Sequence, residues 1–183
     1  MIQKEKSRLR VELLAKLKNF TDPDRARQNQ ILADKFFALP EFATARTIGF
    51  FASESFEVAT DFLISQSSNS GKKVAFPRVE KNSRALEFHS IRNLSELEIS
   101  EFGIRAPQKS SPKIPLDAID LLVVPALAFT DSAERLGRGG GYFDRVLKKF
   151  AGVSVGLAFD FQILPTIPTE DFDQKVSRVL VGK

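Results

Sequence analysis

One short stretch of the sequence combines residue types that suit the binding of an anion. Arg135 to Gly141 reads RLGRGGG and places four glycines and two arginines within seven residues. Glycine lets the backbone approach a ligand closely, and arginine donates charge-assisted hydrogen bonds to phosphate or carboxylate oxygens. Asp144 follows about one turn into the next predicted helix. The stretch therefore predicts a phosphate-binding loop, with Arg135, Arg138 and the amides of Gly139, Gly140 and Gly141 as donors.

This glycine loop matches neither of the two widespread phosphate-binding motifs. A P-loop needs lysine and then serine or threonine after its last glycine, and the dinucleotide fingerprint needs a glycine at its sixth position. Counted from Gly137, the sixth position is Tyr142. Three consecutive glycines are more typical of a flexible turn with solvated arginines, and that alternative stays open. The flanking arginines and the helix that follows favour the anion-binding interpretation.

The elements on either side of the loop predict how it is held. Residues 121–124 (LLVV) form an apolar run that Pro125 ends, which is typical of a strand covered on both faces in a parallel sheet. A loop containing Phe129 to Ser132 follows. Apolar residues then recur at helical spacing from Tyr142 to Phe150. The order strand, glycine loop, helix is a layout that binds anions in many proteins.

Further helices and strands alternate along the chain. The predicted helices are Lys4 to Phe20, a helix capped by Asp22 with Pro23 at its first position that ends at Pro40, and Asp61 to Gln66 capped by Thr60. The predicted strands are Thr47 to Phe51, Lys73 to Pro77, Leu86 to Ile91 and Val153 to Ala158. The alternation predicts a single-domain, three-layer α/β fold over residues 1–183, with a mainly parallel sheet flanked by helices. His89 is on the polar side of its strand and is predicted to be a surface residue.

Composition excludes several kinds of chemistry. The 183 residues contain no cysteine and one histidine, His89, so disulfides, thiolate metal sites, a cysteine nucleophile and histidine-based acid–base catalysis are all disfavoured. An enzyme with this composition must work mainly by positioning and electrostatics, as in phosphoryl transfer from ATP. Seventeen phenylalanines against one tyrosine and no tryptophan indicate core packing more than exposed stacking platforms.

Charge and hydropathy limit the possible partners and location of the protein. The formal net charge is +4 and the isoelectric point is near 9.4, which fits a nucleic-acid partner, an anionic ligand or simple solubility. No apolar run is long enough to span a bilayer, and no export leader follows Met1. We therefore expect a cytoplasmic protein without membrane attachment.

Two segments together resemble a known family. Pro125 to Phe129 (PALAF) and Arg135 to Arg145 (RLGRGGGYFDR) resemble the signature of the 5-formyltetrahydrofolate cyclo-ligases, also called 5,10-methenyltetrahydrofolate synthetases. The resemblance extends from Lys6 to Asp173. Two positions depart from the family pattern, because Ala106 stands where a glutamate is usual and Ser177 stands where a second aspartate is usual.

The resemblance implies a reaction and its cosubstrates. It implies ATP- and Mg²⁺-dependent closure of 5-formyltetrahydrofolate, with or without additional glutamates, to 5,10-methenyltetrahydrofolate, with release of ADP and phosphate. The γ-phosphoryl group would pass to the formyl oxygen, and the neighbouring folate nitrogen would then attack the activated carbon. No protein nucleophile is needed, which agrees with the composition. We expect a monomer that binds no nucleic acid.

The resemblance also assigns roles to individual residues. Glu57 lies in the loop Ala52 to Glu57, which follows a strand and so falls where open parallel sheets bind ligands. The assigned groups are Arg138, Arg135 and Tyr142 for catalysis; Lys6, Arg10, Arg135, Gly137, Arg138, Gly139, Gly140, Gly141 and Tyr142 for ATP; Phe51, Glu57 and Tyr142 for the folate; and Asp144 and Asp173 for Mg²⁺. Two other classes remain open: an α/β relative that binds another anion or nucleotide, and a basic nucleic-acid-binding domain.

Overall fold

The computed structural model describes residues 1–80 and 85–183. An amphipathic first helix, a helix with proline near its start and a helix directly after the glycine loop all form where the sequence pattern predicts them. The α-helices of the described residues are α1 (Ile2–Asn19), α2 (Asp22–Phe37), α3 (Pro40–Thr44), α4 (Asp61–Asn69) and α5 (Tyr142–Leu147).

The strands form one large sheet and two small hairpins. In chain order they are β1 (Thr47–Gly49), β2 (Lys73–Glu80), β3 (Ala85–Ile91), β4 (Leu97–Ile99), β5 (Arg105–Pro107), β6 (Lys113–Ile114), β7 (Leu121–Val124), β8 (Ala128–Phe129), β9 (Arg135–Leu136), β10 (Val153–Ala158) and β11 (Arg178–Val181). The seven-stranded sheet has the order β11-β10-β7-β1-β2-β3-β6. Its first five strands pair in parallel, whereas β3 and β6 are antiparallel. Strands β4–β5 and β8–β9 form the hairpins.

Helices cover both faces of the sheet, so the fold is a three-layer α/β arrangement. On one face the core contains Val123 of the central strand together with apolar side chains of α1, α2 and α4, such as Leu17 and Phe36. On the other face Leu122 and Val124 pack with Val146 of α5. Neighbouring residues of β7 therefore enter opposite cores, which explains why this strand is a continuous apolar run rather than an alternating one.

Several element boundaries differ from the sequence-based predictions. Thr21, not Asp22, is the N-cap of α2, and neither Thr21 nor Thr60 caps its helix with a side-chain hydrogen bond. Helix α2 ends at Phe37, and Pro40 begins the short helix α3. Strand β1 ends at Gly49 rather than Phe51, although the backbone N–H of Phe50 still donates to the carbonyl oxygen of Ala75 at 2.8 Å.

The surroundings of the glycine loop also differ from the prediction. Arg135 is not a loop residue but lies in β9, which pairs with β8 across a short hairpin. Helix α5 ends at Leu147 rather than Phe150, and residues 148–150 continue as turns. A six-residue helix has only a small macrodipole, so the loop and its cations contribute most of the positive potential.

The prediction that His89 is a surface residue is wrong, because its side chain is only 1% exposed. Its Nδ1 donates a hydrogen bond to the carbonyl oxygen of Ser111 at 2.8 Å. The polar face of β3 is therefore covered by the chain that leads into β6. Alternation in the sequence identified the face but not the segment that packs on it.

In the part of the chain that the structure describes, no helix is long and apolar enough to cross a membrane.

Candidate functional site

A cavity of about 350 Å³ opens beyond the carboxyl ends of β1 and β7, beside the second half of β2. Its wall includes Phe51 and Ala52 beyond β1, Pro77 within β2, and Pro125 and Ala126 beyond β7. The carboxyl ends of parallel strands are the usual ligand-binding edge of such sheets. Every residue assigned a role from the sequence lines this one cavity: Lys6, Arg10, Phe51, Glu57, Arg135, Gly137, Arg138, Gly139, Gly140, Gly141, Tyr142, Asp144 and Asp173.

The glycine loop presents free backbone donors to the cavity. Gly139 and Gly141 have positive φ angles of 103° and 64°, which other L-residues rarely adopt, and Gly141 is the N-cap of α5. Among the described residues, no group accepts a hydrogen bond from the backbone N–H of Gly139, Gly140 or Gly141. Three adjacent free N–H groups on a loop can bind the oxygens of a phosphate.

Arg135 lies beneath the loop and is buried. Its Nη2 contacts Oδ1 of Asp144 at 2.5 Å, and its Nε is buried without a hydrogen-bond partner among the described residues. A Cβ atom at Gly137 would lie 2.7 Å from Nη1 of Arg135, so only glycine leaves room for the guanidinium there. A buried N–H without a partner is costly, so the packing around Arg135 and its ion pair with Asp144 must offset that cost.

Lys6 is a second buried cation at the cavity. Its Nζ contacts Oδ2 of Asp173 at 2.5 Å and Oε2 of Glu170 at 2.8 Å. Burial by itself lowers the pKa of Lys6, but the hydrogen bonds and negative charges of Asp173 and Glu170 outweigh it and raise the pKa above its usual value. Lys6 therefore stays charged and joins α1 to the segment before β11.

Arg10 lies one turn after Lys6 and faces the glycine loop. Its Nε donates a hydrogen bond to the carbonyl oxygen of Gly137 at 2.9 Å. A Cβ at Gly139 would lie 3.4 Å from the guanidinium carbon of Arg10. Residues four apart share one face of a helix, so α1 presents both cations to the same side of the cavity.

Arg138 and Glu57 pair with each other across the mouth of the cavity. Nη2 of Arg138 donates to Oε1 of Glu57 at 2.7 Å, and the other oxygen of Glu57 accepts from the backbone N–H of Glu54 at 2.9 Å. The guanidinium of Arg138 also lies over the ring of Phe56, 5.2 Å from its centroid. The pair joins the glycine loop to the loop after β1. It therefore connects the residue predicted for phosphate with the residue predicted for the folate.

The remaining wall is apolar and aromatic. Phe51 is buried, and its carbonyl oxygen accepts a hydrogen bond from the hydroxyl of Thr60. Tyr142 is half-buried at the start of α5, and the guanidinium of Arg145 lies 5.1 Å from its ring centroid. A flat heterocycle can pack against such aromatic side chains.

Arg105 is a cavity residue that sequence reasoning missed. It donates two hydrogen bonds to Asp61 at 2.8 and 2.9 Å and a third to the carbonyl oxygen of Ser53 at 3.0 Å. The hydrogen bonds to Asp61 and the negative charge of that carboxylate raise the pKa of Arg105, so it stays protonated. The only sequence signal was its position beside Ala106. By contrast Ser177 exchanges hydrogen bonds with Ser154 at the start of β10, and it does not line the cavity.

Two carboxylates keep an oxygen that a cation could bind. Asp144 accepts from Arg135 through Oδ1, and Asp173 accepts from Lys6 through Oδ2. Within residues 1–80 and 85–183, the second oxygen of each accepts no hydrogen bond. Protein-bound Mg²⁺ typically takes one or two carboxylates plus phosphate oxygens, so these residues fit it. In the same part of the chain, no group of three or more His, Cys, Asp or Glu side chains is arranged to hold a metal by itself.

The chain is similar in sequence and in structure to proteins of one known family. The family model for the 5-formyltetrahydrofolate cyclo-ligase family matches residues 2–182. A protein of Mus musculus named 5-formyltetrahydrofolate cyclo-ligase is 29% identical over 98% of this chain and 94% of its own length. The protein of the same name from Escherichia coli is 31% identical over 84% of this chain and 87% of its own length. The NMR structure of Aquifex aeolicus 5,10-methenyltetrahydrofolate synthetase superposes with a TM-score of 0.86 at 29% identity, covering 97% of this chain and 90% of that one. The chain therefore belongs to the 5-formyltetrahydrofolate cyclo-ligase family of enzymes.

Proposed function

We propose that the protein uses ATP and Mg²⁺ to convert 5-formyltetrahydrofolate to 5,10-methenyltetrahydrofolate, with release of ADP and phosphate. The observation that carries this proposal is the convergence of the glycine loop, five cations and the Glu57 carboxylate on one cavity of a cyclo-ligase fold. The cations suit a triphosphate, and the carboxylate suits the N–H groups of a pterin ring. Both reactants of the proposed reaction thus have chemically matched groups in one place.

The chemistry requires activation of a poor leaving group. The formyl oxygen attacks the γ-phosphorus of ATP, the bond to the bridging oxygen breaks, and ADP leaves. The resulting iminium carbon is attacked by the neighbouring folate nitrogen, which then loses its proton to solvent. The C–O bond breaks, phosphate leaves with the bonding electrons, and the five-membered ring carries the positive charge. No covalent bond to the protein forms at any step.

The glycine loop supplies charge around the transferred phosphoryl group. Arg138 lies at the mouth of the cavity and can move from Glu57 towards phosphate oxygens, since its side chain is exposed. Arg135 is held beneath the loop by Asp144, and its positive charge adds to the potential at the phosphoryl group. The free N–H groups of Gly139 to Gly141 are further donors to the phosphoryl group. Such preorganised donors act mainly on the charge of a loose transition state.

The other cavity residues hold the two reactants in line. Lys6 and Arg10 bind the nucleotide from α1, and Asp144 and Asp173 would hold Mg²⁺. Bound Mg²⁺ would neutralise developing charge on the leaving ADP. Phe51, Glu57 and Tyr142 bind the folate. Glu57 accepts hydrogen bonds from the folate, and the rings of Phe51 and Tyr142 pack on the flat heterocycle of the folate. Alignment of the formyl oxygen with the γ-phosphate is then the main contribution of the protein.

The proposal is tested by mixing the protein with MgATP and 5-formyltetrahydrofolate and following the absorbance of the methenyl product. The expected result is product formation that requires ATP, stops when EDTA removes Mg²⁺, and releases one ADP per methenyl group. ADP in place of ATP is the matched control. A folded protein that forms no product under these conditions would contradict the proposed reaction.

A further inference from the structure

Helix α2 contacts the loop after β1, which carries Glu57, although α2 contributes none of the described residues that line the cavity. The contacts come from Arg25 and Asn29, and each is a hydrogen bond to the backbone of the loop. Residues four positions apart share one face of a helix, so a single face of α2 makes both contacts. The helix that holds this loop is therefore distinct from the elements that line the cavity.

Arg25 donates to the carbonyl oxygens of the loop and of α1 at the same time. Its Nη1 donates to the carbonyl oxygen of Ser55 at 2.7 Å and, over a longer distance of 3.4 Å, to that of Glu57. Its Nη2 donates to the carbonyl oxygen of Leu17, near the end of α1, at 2.7 Å. A planar guanidinium has separate donors for both segments, and a lysine ammonium does not reproduce that geometry.

Two aromatic rings fix the guanidinium of Arg25. Its central carbon lies 5.7 Å from the ring centroid of Phe20 and 5.4 Å from that of Phe159. Phe159 is fully buried, so one of these rings belongs to the core. Contact with fixed rings limits the positions that a guanidinium can take. Arg25 is therefore a fixed donor to the loop rather than a freely moving cation.

Asn29 binds the same loop two positions after Glu57. Its Oδ1 accepts a hydrogen bond from the backbone N–H of Ala59 at 3.1 Å. Arg25 binds the carbonyl oxygens of Ser55 and Glu57. Backbone groups before, at and after Glu57 therefore each have a partner on α2.

The backbone of this loop determines where the Glu57 carboxylate lies. The N–H of Glu57 donates to the carbonyl oxygen of Glu54 at 3.0 Å, and Oε2 of Glu57 accepts from the N–H of Glu54 at 2.9 Å. The side chain of Glu57 is only 11% exposed, so its movement is restricted. A binding group must be held within about 0.5 Å of its productive position. A shift of the backbone would therefore displace the carboxylate from the position in which it meets a ligand.

We propose that Arg25 and Asn29 are positioning residues, which hold the Glu57 carboxylate in place for the folate without touching either reactant. This inference rests on the proposed function, in which Glu57 accepts hydrogen bonds from the folate, and adds the contacts on which that role depends. Loss of either residue weakens binding of the folate and leaves binding of ATP unchanged, because the groups proposed for ATP lie on α1 and the glycine loop.

Asn29 gives the more direct test, because Arg25 also binds the end of α1. Asn29→Ala removes the acceptor of the Ala59 N–H, whereas Asn29→Asp keeps an oxygen at that position. We expect Asn29→Ala to raise KM for 5-formyltetrahydrofolate about two- to fivefold, as for the loss of one hydrogen bond. Asn29→Asp should restore the wild-type value, and KM for ATP should not change in either variant. A rise in KM for one substrate alone reports weaker binding of that substrate. If Asn29→Ala changes both KM values equally, or neither, Asn29 does not position Glu57.

Arg25→Lys and Arg27→Lys form a matched pair of variants on the same helix. Arg27 is exposed and pairs with Asp24, so its replacement is the control. We expect Arg25→Lys to raise KM for 5-formyltetrahydrofolate at least about threefold relative to Arg27→Lys, although both variants keep the charge. In a Glu57→Ala background the two variants should bind 5-formyltetrahydrofolate with equal affinity by calorimetry, because the group that Arg25 positions is absent. A difference that persists in that background would mean that Arg25 does not act through Glu57.

Failure of the positioning proposal can be separated from failure of the proposed reaction. The amide proton of Glu54 reports the position of the Glu57 carboxylate by NMR, because it donates a hydrogen bond to that carboxylate. Asn29→Ala and Arg25→Lys should shift this resonance in the same direction as Glu57→Ala does, and Arg27→Lys should leave it in place. If the resonance does not move in the first two variants, α2 does not position Glu57, whether or not the protein forms the methenyl product.

Discussion

The cavity contains two sets of ion pairs that have the same chemistry but very different burial. The floor cluster consists of Lys6, Arg135, Asp144 and Asp173, and its cationic side chains are only 4% and 3% exposed. The rim pair consists of Arg138 and Glu57, and the side chain of Arg138 is 47% exposed. Arg135 and Arg138 are three residues apart in one motif, yet the side chain of the first is buried and that of the second is half-exposed at the rim. The difference separates groups that both support the fold and face the ligand site from groups that contribute mainly to the ligand site.

Burial decides how much each set contributes to folding. Exposed ion pairs typically stabilise proteins by about 0–1 kcal/mol, whereas loss of one partner of a buried pair costs about 3–5 kcal/mol. The floor cluster also joins distant segments, since Lys6 and Asp173 are 167 positions apart. We therefore expect substitutions in the floor cluster to affect stability and substitution of the rim pair to affect mainly activity.

The largest effect on stability is expected for Arg135→Met. The change leaves the Asp144 carboxylate without its cation in a mostly buried position. We expect a loss of about 3 kcal/mol in the free energy of unfolding, at the lower end of the range for a buried pair because Asp144 keeps some solvent contact. Urea unfolding measures this loss. Arg8→Met, which removes an exposed pair with Glu12, is the matched control and should change stability by no more than about 0.5 kcal/mol. If both substitutions lowered the free energy of unfolding equally, burial would not explain the contribution of the Arg135 ion pair.

A smaller loss is expected for Lys6→Gln. Glutamine can donate a hydrogen bond to Asp173 or Glu170 but carries no charge, so we expect a loss of about 2 kcal/mol in the free energy of unfolding. Lys4→Gln, on an exposed position of the same helix, is the control. If the two variants unfold at the same urea concentration, the Lys6 ion pairs do not stabilise the fold.

The raised pKa of Lys6 predicts a dependence on alkaline pH. A cation whose pKa is higher in the folded than in the unfolded protein stabilises the folded state. This stabilisation is complete when the pH is below the pKa of the unfolded state, which is about 10.4 for lysine. That contribution disappears as the pH rises through the folded value. The difference in unfolding free energy between the wild type and Lys6→Gln should therefore be constant from about pH 7 to 9 and fall above about pH 10. A difference that stays constant to pH 11 would contradict the raised pKa.

The smallest effect on stability is expected for Arg138→Ala, although its effect on activity is large. Loss of the exposed pair with Glu57 should change the free energy of unfolding by less than about 1 kcal/mol. Loss of a charge-assisted contact of about 1.5–3 kcal/mol to the phosphoryl group should lower turnover at least tenfold. A stopped-flow or steady-state assay of the methenyl product measures this. Near-wild-type turnover would contradict the role of Arg138 in the reaction. A loss of stability as large as that of Arg135→Met would contradict the difference between the rim pair and the floor cluster.

A double-mutant cycle sharpens the same point. Arg138→Ala and Glu57→Gln, singly and together, should show a coupling energy below about 1 kcal/mol in unfolding. A larger value would mean that the rim pair supports the fold.

The sequence predicted the α/β class and most of the elements, because apolar periodicity reports local burial. It could not predict that His89 is buried, since the residues that cover it belong to a distant segment. It also treated Arg135 and Arg138 as equivalent, because the β8–β9 hairpin that buries Arg135 is too short to give a periodic signal. Arg105 was missed because its segment departs from the family pattern at Ala106, and Glu170 was missed because it belongs to no recognisable motif.

The sequence by itself determined the family and the kinds of groups in the site. The glycine loop, its two arginines and the following Asp144 are local features, and their types and spacing are visible without any coordinates. Only the tertiary structure decided which carboxylate faces each cation, which cations are buried and which are exposed. Those contacts join positions far apart in the chain, and packing of the sheet and helices sets them rather than local propensity.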